Sequence, residues 1–162
     1  MTLFPDKPAH PAPCNTAAKS FILQFDGGSR GNPGPAGIGV TVSTDTGKSV
    51  YELGEFLGHY TNNVAEYTAL LRGLAAAVAL GATKLLVRAD SELVVRQLNG
   101  IYKVKSPDLK PLFAQAVQLI GKIGDVKIHH VYREGNSRAD ALANLAMDTE
   151  SMVEPLGPLP RN

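Results

Sequence analysis

The sequence predicts an α/β fold: a mixed five-stranded sheet, three antiparallel strands and then parallel ones, with helices on both faces. Three observations predict it. Residues 20–57 hold three strand-like runs joined by short turns rich in Gly, Pro, Asn and Asp, the pattern of an antiparallel meander. From residue 61 onward, helical stripes alternate with two short apolar runs, the pattern of helices crossing over a sheet. The first run is apolar on both faces, as in a central strand covered on both sides. The 162 residues suit one domain, and a hydrophobic content of 44% allows a sizeable core.

The elements follow in order. Residues 1–19 are rich in Pro and Ala without periodicity and are expected to be a flexible leader. The first strand covers Ser20 to Gly27. Phe21, Leu23 and Phe25 share one face, and Ile22, Gln24 and Asp26 the other. A turn through Gly28, Ser29, Arg30, Gly31, Asn32, Pro33 and Gly34 leads to a second strand over 36–44, and Asp45-Thr46-Gly47-Lys48 turns the chain into a third over 49–57. Thr61, Asn62 and Asn63 offer side-chain oxygens to cap a helix whose stripe is Tyr67, Leu71, Leu74 and Val78, with Gly81 as its stop. A strand over 84–89 ends at Asp90. Helices over 91–99 and 108–122, a strand over 126–132 and a helix over 136–148 capped by Asn136 or Ser137 complete the fold. Residues 149–162, with three prolines, are expected to be a disordered tail.

Composition excludes several function classes. A formal net charge of +1 gives no general basic coat, so any nucleic-acid contact must be local. The single cysteine, Cys14, excludes an intrachain disulfide and a Cys-rich zinc site, which suits a reducing cytosol. No apolar run is long enough to span a bilayer, and the first twenty residues lack the basic and apolar regions of a secretory signal.

Four acids sit where elements begin or end. Asp26 and Asp90 close the first and fourth strands, and sites in such sheets gather beyond the carboxyl ends of strands. Glu66 lies in the first turns of the first long helix, beside its apolar stripe, and Asp140 in the first turn of the last helix, where the dipole favours anions. Any one alone is an ordinary surface charge or cap. Four converging carboxylates would raise one another's pKa values. Hard divalent cations relieve that repulsion, and two of them together suit phosphodiester hydrolysis.

The run Asp26-Gly27-Gly28-Ser29-Arg30-Gly31-Asn32-Pro33-Gly34-Pro35-Ala36-Gly37 is followed by Thr61-Asn62-Asn63-Val64-Ala65-Glu66, Ala89-Asp90-Ser91-Glu92-Leu93-Val94 and Asn136-Ser137-Arg138-Ala139-Asp140. These four blocks, in this order, resemble the signatures of type 1 ribonuclease H, over roughly Ser20 to Asp148. The resemblance implies the ribonuclease H fold and cleavage of the RNA strand of an RNA–DNA hybrid, giving 5′-phosphate and 3′-hydroxyl ends. It implies two Mg²⁺ or Mn²⁺ ions held by Asp26, Glu66, Asp90 and Asp140, with Asp26 bridging both and Asp140 on the ion that activates water.

Gly27, Gly28, Ser29 and Asn32 are candidates for reading the ribose 2′-hydroxyl, since glycine backbone approaches a sugar closely. The resemblance implies that Thr61 contacts a DNA phosphate and that Asn62 lies in the minor groove; Asn63 and Asn136 join the substrate-contact set. Glu92 stands where relatives often carry a glutamine that touches RNA. The basic protrusion of many relatives shrinks to residues 99–106, where Lys103 and Lys105 with Tyr102 are a small substitute. The loop before Asp140 lacks the mobile histidine of many relatives, and Arg133 and Glu134 are its stand-ins. This pattern resembles the archaeal-type branch, which is implied to have some activity on double-stranded RNA. The expected protein is a cytoplasmic monomer. The alternatives left open are a binding module that has lost catalysis, the hydrolase domain of a larger polyprotein, and a related resolvase or exonuclease.

Overall fold

In the computed structural model, which describes residues 18–160, three long strands form the meander: β1 (Ser20–Ser29), β2 (Gly34–Thr44) and β3 (Ser49–Tyr60). α1 (Asn62–Ala79), β4 (Lys84–Ala89), α2 (Glu92–Leu98), α3 (Lys110–Ile123), β5 (Asp125–His130), a 3-10 turn at Arg133–Asn136 and α4 (Ser137–Thr149) follow. β4 runs parallel to both β1 and β5, while β2 is antiparallel to β1 and β3. Most of the expected leader lies outside the described residues. Lys19, expected to be its last residue, instead donates its amide to Thr83 Oγ1 at 2.9 Å, tying the start of β1 to β4.

The sheet has six strands, not five, in the order β5-β4-β1-β2-β3-β6. The sixth is β6 (Met152–Val153), which lies in the stretch expected to be a disordered tail and pairs antiparallel with Gly54 and Glu55 of β3. Tyr51 reinforces the pairing by donating its hydroxyl to Glu154 Oε2 at 2.6 Å. The pair covers part of the β3 edge, which would otherwise present unpaired backbone groups.

The alternation along β1 decides what packs where. Leu23 and Phe25 are buried, and their face receives α1, whose buried residues include Tyr67, Leu70 and Leu74. Burying side chains of this size stabilises by about 1.5–3 kcal/mol each. α1 forms because Thr61 Oγ1 accepts from the Val64 amide at 3.3 Å, and it stops at Gly81, whose φ of 80° suits glycine. α4 lies on the opposite face against β2, β3 and β1. It comes close because that face carries Gly37, Gly39 and Gly54; a Cβ on Gly39 would fall inside the Ala139 carbonyl. Arg138 of α4 completes the contact through Glu52 of β3, with Nη2 to Oε1 at 2.8 Å. No helix among the described residues is long and apolar enough to cross a membrane.

Candidate active site

β1 and β4 are parallel neighbours whose pairing ends with Phe25 beside Ala89, so Asp26 and Asp90 follow side by side, while β1 runs on to Ser29 against β2 rather than closing at Asp26. Glu66 reaches them from the first turns of α1. It is 6% exposed and sits on the buried face of that helix rather than beside its stripe. Asp26, Glu66 and Asp90 bring one carboxylate oxygen each to within 4.8 Å of one another. Asp140, at the start of α4, lines the same cavity and contacts the Asp26 carboxyl, but it lies outside that tight set of three.

The close approach of α1 to β1 depends on Gly27. Its amide donates to Glu66 Oε1 at 2.8 Å, and a Cβ there would stand 2.6 Å from the Glu66 nitrogen. Burial raises Glu66 to about 7, with the Asp90 charge adding to it; the Gly27 amide and the Ser91 side chain oppose the shift. Burial likewise raises Asp26 to about 8, helped by the charges of Glu66 and Asp90 and by the contact with Asp140. A set of acids that resists ionisation in this way calls for positive charge among them. Oxygen donors alone suit a hard divalent cation, so the residues present fit Mg²⁺ or Mn²⁺.

The cavity around the acids measures about 460 Å³ and opens to solvent. Gly27, Gly28, Ser29 and Asn62 form one wall, and His130, Val131, Tyr132 and Arg133 another. Asn62 Oδ1 accepts from the Ser29 amide at 3.3 Å, joining the glycine loop to the start of α1. The Ser29 hydroxyl is turned inward to the carbonyls of Gly31 and Tyr60. Arg133 Nη2 reaches Asp140 Oδ1 at 3.3 Å.

The other expected contacts lie apart from this cavity. Asn32 stands with Thr61 and Asn63 in a second hollow of about 270 Å³, bounded across from them by Ser106, Asp108 and Leu109. Its Oδ1 accepts the Asn62 amide at 3.0 Å, so part of its hydrogen-bonding capacity serves the start of α1. Lys103 lines a groove with Tyr102, over whose ring Arg96 is stacked at 5.4 Å, and Lys105 is exposed nearby. Glu92, which is not in the cavity lining, pairs with Arg96 one helical turn on, at 2.7 Å.

Asn136 stands at the N-cap position of α4. Expected among the substrate contacts or as a helix cap, it is 1% exposed in the free protein and its side chain makes no capping bond. Its Nδ2 donates instead to the Phe25 carbonyl at 2.8 Å, clamping the approach to α4 onto the residue before Asp26.

Asn144, His130 and Tyr132 also line the cavity, outside the expected set. Asn144 donates to the Asp140 main-chain oxygen at 3.1 Å and lies 3.4 Å from its Oδ2. Its position four residues after Asp140 was the available signal. His130 and Tyr132 had none, because a strand end can turn either way.

The chain matches the family model described as reverse transcriptase-like over residues 24–146. It is 49% identical over 128 residues to the bifunctional protein Rv2228c of Mycobacterium tuberculosis, covering 78% of this chain and 35% of that protein. It is 46% identical over 124 residues to ribonuclease HI of Halobacterium salinarum, covering 76% of this chain and 62% of the relative. The chain belongs to the type 1 ribonuclease H family. It thus spans about a third of the mycobacterial relative's length and under two thirds of the archaeal one's. The solved structure of the LC11 ribonuclease H1 in complex with RNA/DNA hybrid superposes with a TM-score of 0.77 at 44% identity, covering 80% of this chain and 98% of that one. Within this ribonuclease H fold, residues 99–109 link α2 and α3 without a helix of their own.

Proposed function

We propose that the protein is a metal-dependent endonuclease that hydrolyses the RNA strand of RNA–DNA hybrids, acting as a cytoplasmic monomer. The observation that carries this reading is the convergence of Asp26, Glu66 and Asp90 in an open cavity walled by the Gly27–Ser29 backbone. The LC11 enzyme's complex with hybrid, on the same fold, supports the substrate class.

Asp26, Glu66, Asp90 and Asp140 would hold two Mg²⁺ or Mn²⁺ ions. When bound, the ions supply charge that activates water and steadies the leaving oxygen. The chain's own residues prepare the rest. The Gly27 amide fixes Glu66, and Arg133 and Asn144 fix Asp140. The Gly28 backbone and the Asn62 amide face the ribose, whose 2′-hydroxyl both donates and accepts. The hollow of Asn32, Thr61 and Asn63 takes a phosphate of the DNA strand. Water oxygen attacks phosphorus as the bond from phosphorus to O3′ breaks. A proton ends on O3′, leaving a 3′-hydroxyl and a 5′-phosphate.

The test is cleavage of a labelled hybrid in Mg²⁺, Mn²⁺ and EDTA, with double-stranded RNA in parallel and Asp26→Asn as control. Metal-dependent cutting of the RNA strand, lost in Asp26→Asn, is the expected result. Cutting that persists in EDTA, or none in either metal, sinks the reading. Cutting of double-stranded RNA would extend the substrate range.

A further inference from the structure

We propose that Tyr132 is a stacking platform for an unpaired nucleobase beside the scissile phosphate. The proposal rests on the nucleic-acid reading above and narrows it to a substrate class: hybrids with an unpaired nucleotide flanking the cut.

Tyr132 is the most exposed large hydrophobic side chain among the described residues, at 77%. It is not stranded on a remote surface, because it lines the carboxylate cavity. Its backbone is fixed on both sides. The Val131 amide donates to the Ala89 carbonyl at 2.9 Å, and the Tyr132 carbonyl accepts from the Gly135 amide at 2.9 Å. The ring is oriented by an edge-to-face contact with His130, centroids 5.5 Å apart at 75°. A held ring with open area, one residue from the arginine that touches Asp140, is a presented surface rather than a loose side chain.

The ligand chemistry follows from the ring. Every nucleobase has a π-face, and stacking on an aromatic strengthens binding from about fivefold upward per base. A paired base inside a duplex offers its face only to its neighbours. The gain therefore goes to a base that has left the stack, at an end, a nick or a displaced flank.

Two hybrids of equal length test this with the full chain in EDTA. Both carry 2-aminopurine at the RNA terminus, paired in one and unpaired in the other. They meet the same site charge, so their affinity ratio isolates the base. Wild type is expected to bind the unpaired-end hybrid at least about fivefold tighter and to quench its fluorescence more. Tyr132→Phe should keep both effects and Tyr132→Ala lose both at an unchanged melting temperature. Equal affinity of wild type for the two hybrids, binding to neither, or a preference surviving in Tyr132→Ala overturns the platform. Addition of Mg²⁺ then reads the proposed function separately: a preference without cutting contradicts that function and leaves the platform standing.

Discussion

The Gly27 amide donates to Glu66 Oε1 at 2.8 Å, and the same glycine has no space for a Cβ against the backbone of Ala65 and Glu66. One residue thus sets both the charge environment of an acid and the distance of its helix from the sheet. Gly27→Ala should push α1 away from β1 and draw Glu66 out of reach of Asp26 and Asp90. Overpacking of this kind costs about 1–3 kcal/mol. Thermal melting should show that loss, and kcat on hybrid should fall about tenfold or more, about 1.4 kcal/mol in the barrier. A variant that melts and turns over like wild type would refute this account.

Asp26 gives a pH prediction for the metal-free protein. Its pKa is raised from 3.8 to about 8 in the fold, so between those values the folded state keeps a proton that the unfolded chain has released. Stability is then fully present at low pH and declines as pH rises through that window. Glu66, raised to about 7, acts with the same sign. In EDTA the melting temperature should drop from pH 5.5 to 8.5, and Asp26→Asn should flatten the slope. Mg²⁺ should raise the melting temperature more at pH 8.5 than at 5.5. A wild-type melting temperature that climbs with pH in EDTA would show the carboxylates are not held as described.

Asn136 separates positioning from contact. Its amide satisfies the Phe25 carbonyl inside the protein, and stranding that carbonyl costs about 1–3 kcal/mol. Asn136→Ala should lower the melting temperature and kcat together, because the approach to α4 loosens from β1 and Asp140 moves relative to Asp26. Asn136→Asp should be worse, since it sets a carboxylate against a carbonyl. KM on hybrid should stay within about twofold, on the order of 0.4 kcal/mol. A rise in KM alone would make Asn136 a substrate contact rather than a positioning residue.

These residues also show what the sequence discloses. The meander and the alternating helices were legible because their apolar periods are long and regular. β6 was not, because two residues after a helix carry no period, and their pairing with Gly54 and Glu55 is a purely tertiary event. The four acids were legible as a set because each follows or opens a regular run in the sequence, although β1 itself continues past Asp26 to Ser29. Their spacing could not say that Asp26, Glu66 and Asp90 form a tight group with Asp140 to one side. An asparagine before a helix reads equally as a cap or an anchor, and only the neighbouring strand decides for Asn136. Glu92 was read only as a substrate contact; the spacing to an arginine four residues on, which the structure uses, was the signal for its pairing.

Glu150 ends α4 in the left-handed region, with φ 50° and ψ 47°, while its amide donates to the Ala146 carbonyl. This is the position at which helices usually place glycine, because a Cβ there crowds the backbone at a cost of roughly 1–2 kcal/mol. Glu150→Gly removes that crowding, and the greater freedom of glycine in the unfolded chain takes part of the gain back. The net expected is about 0.5–1 kcal/mol of added stability, seen as a rise of about 1–4 °C in melting temperature for a chain of this size. Glu150→Val should move the other way, since a β-branched side chain tolerates this region least. Because Ser151 follows directly and its carbonyl accepts from Phe56, the substitution should also leave β6 docked on β3. Protection of the Phe56 amide from hydrogen exchange reads that docking, and its loss in Glu150→Gly alongside a raised melting temperature would mean that the strained cap holds the tail strand in place.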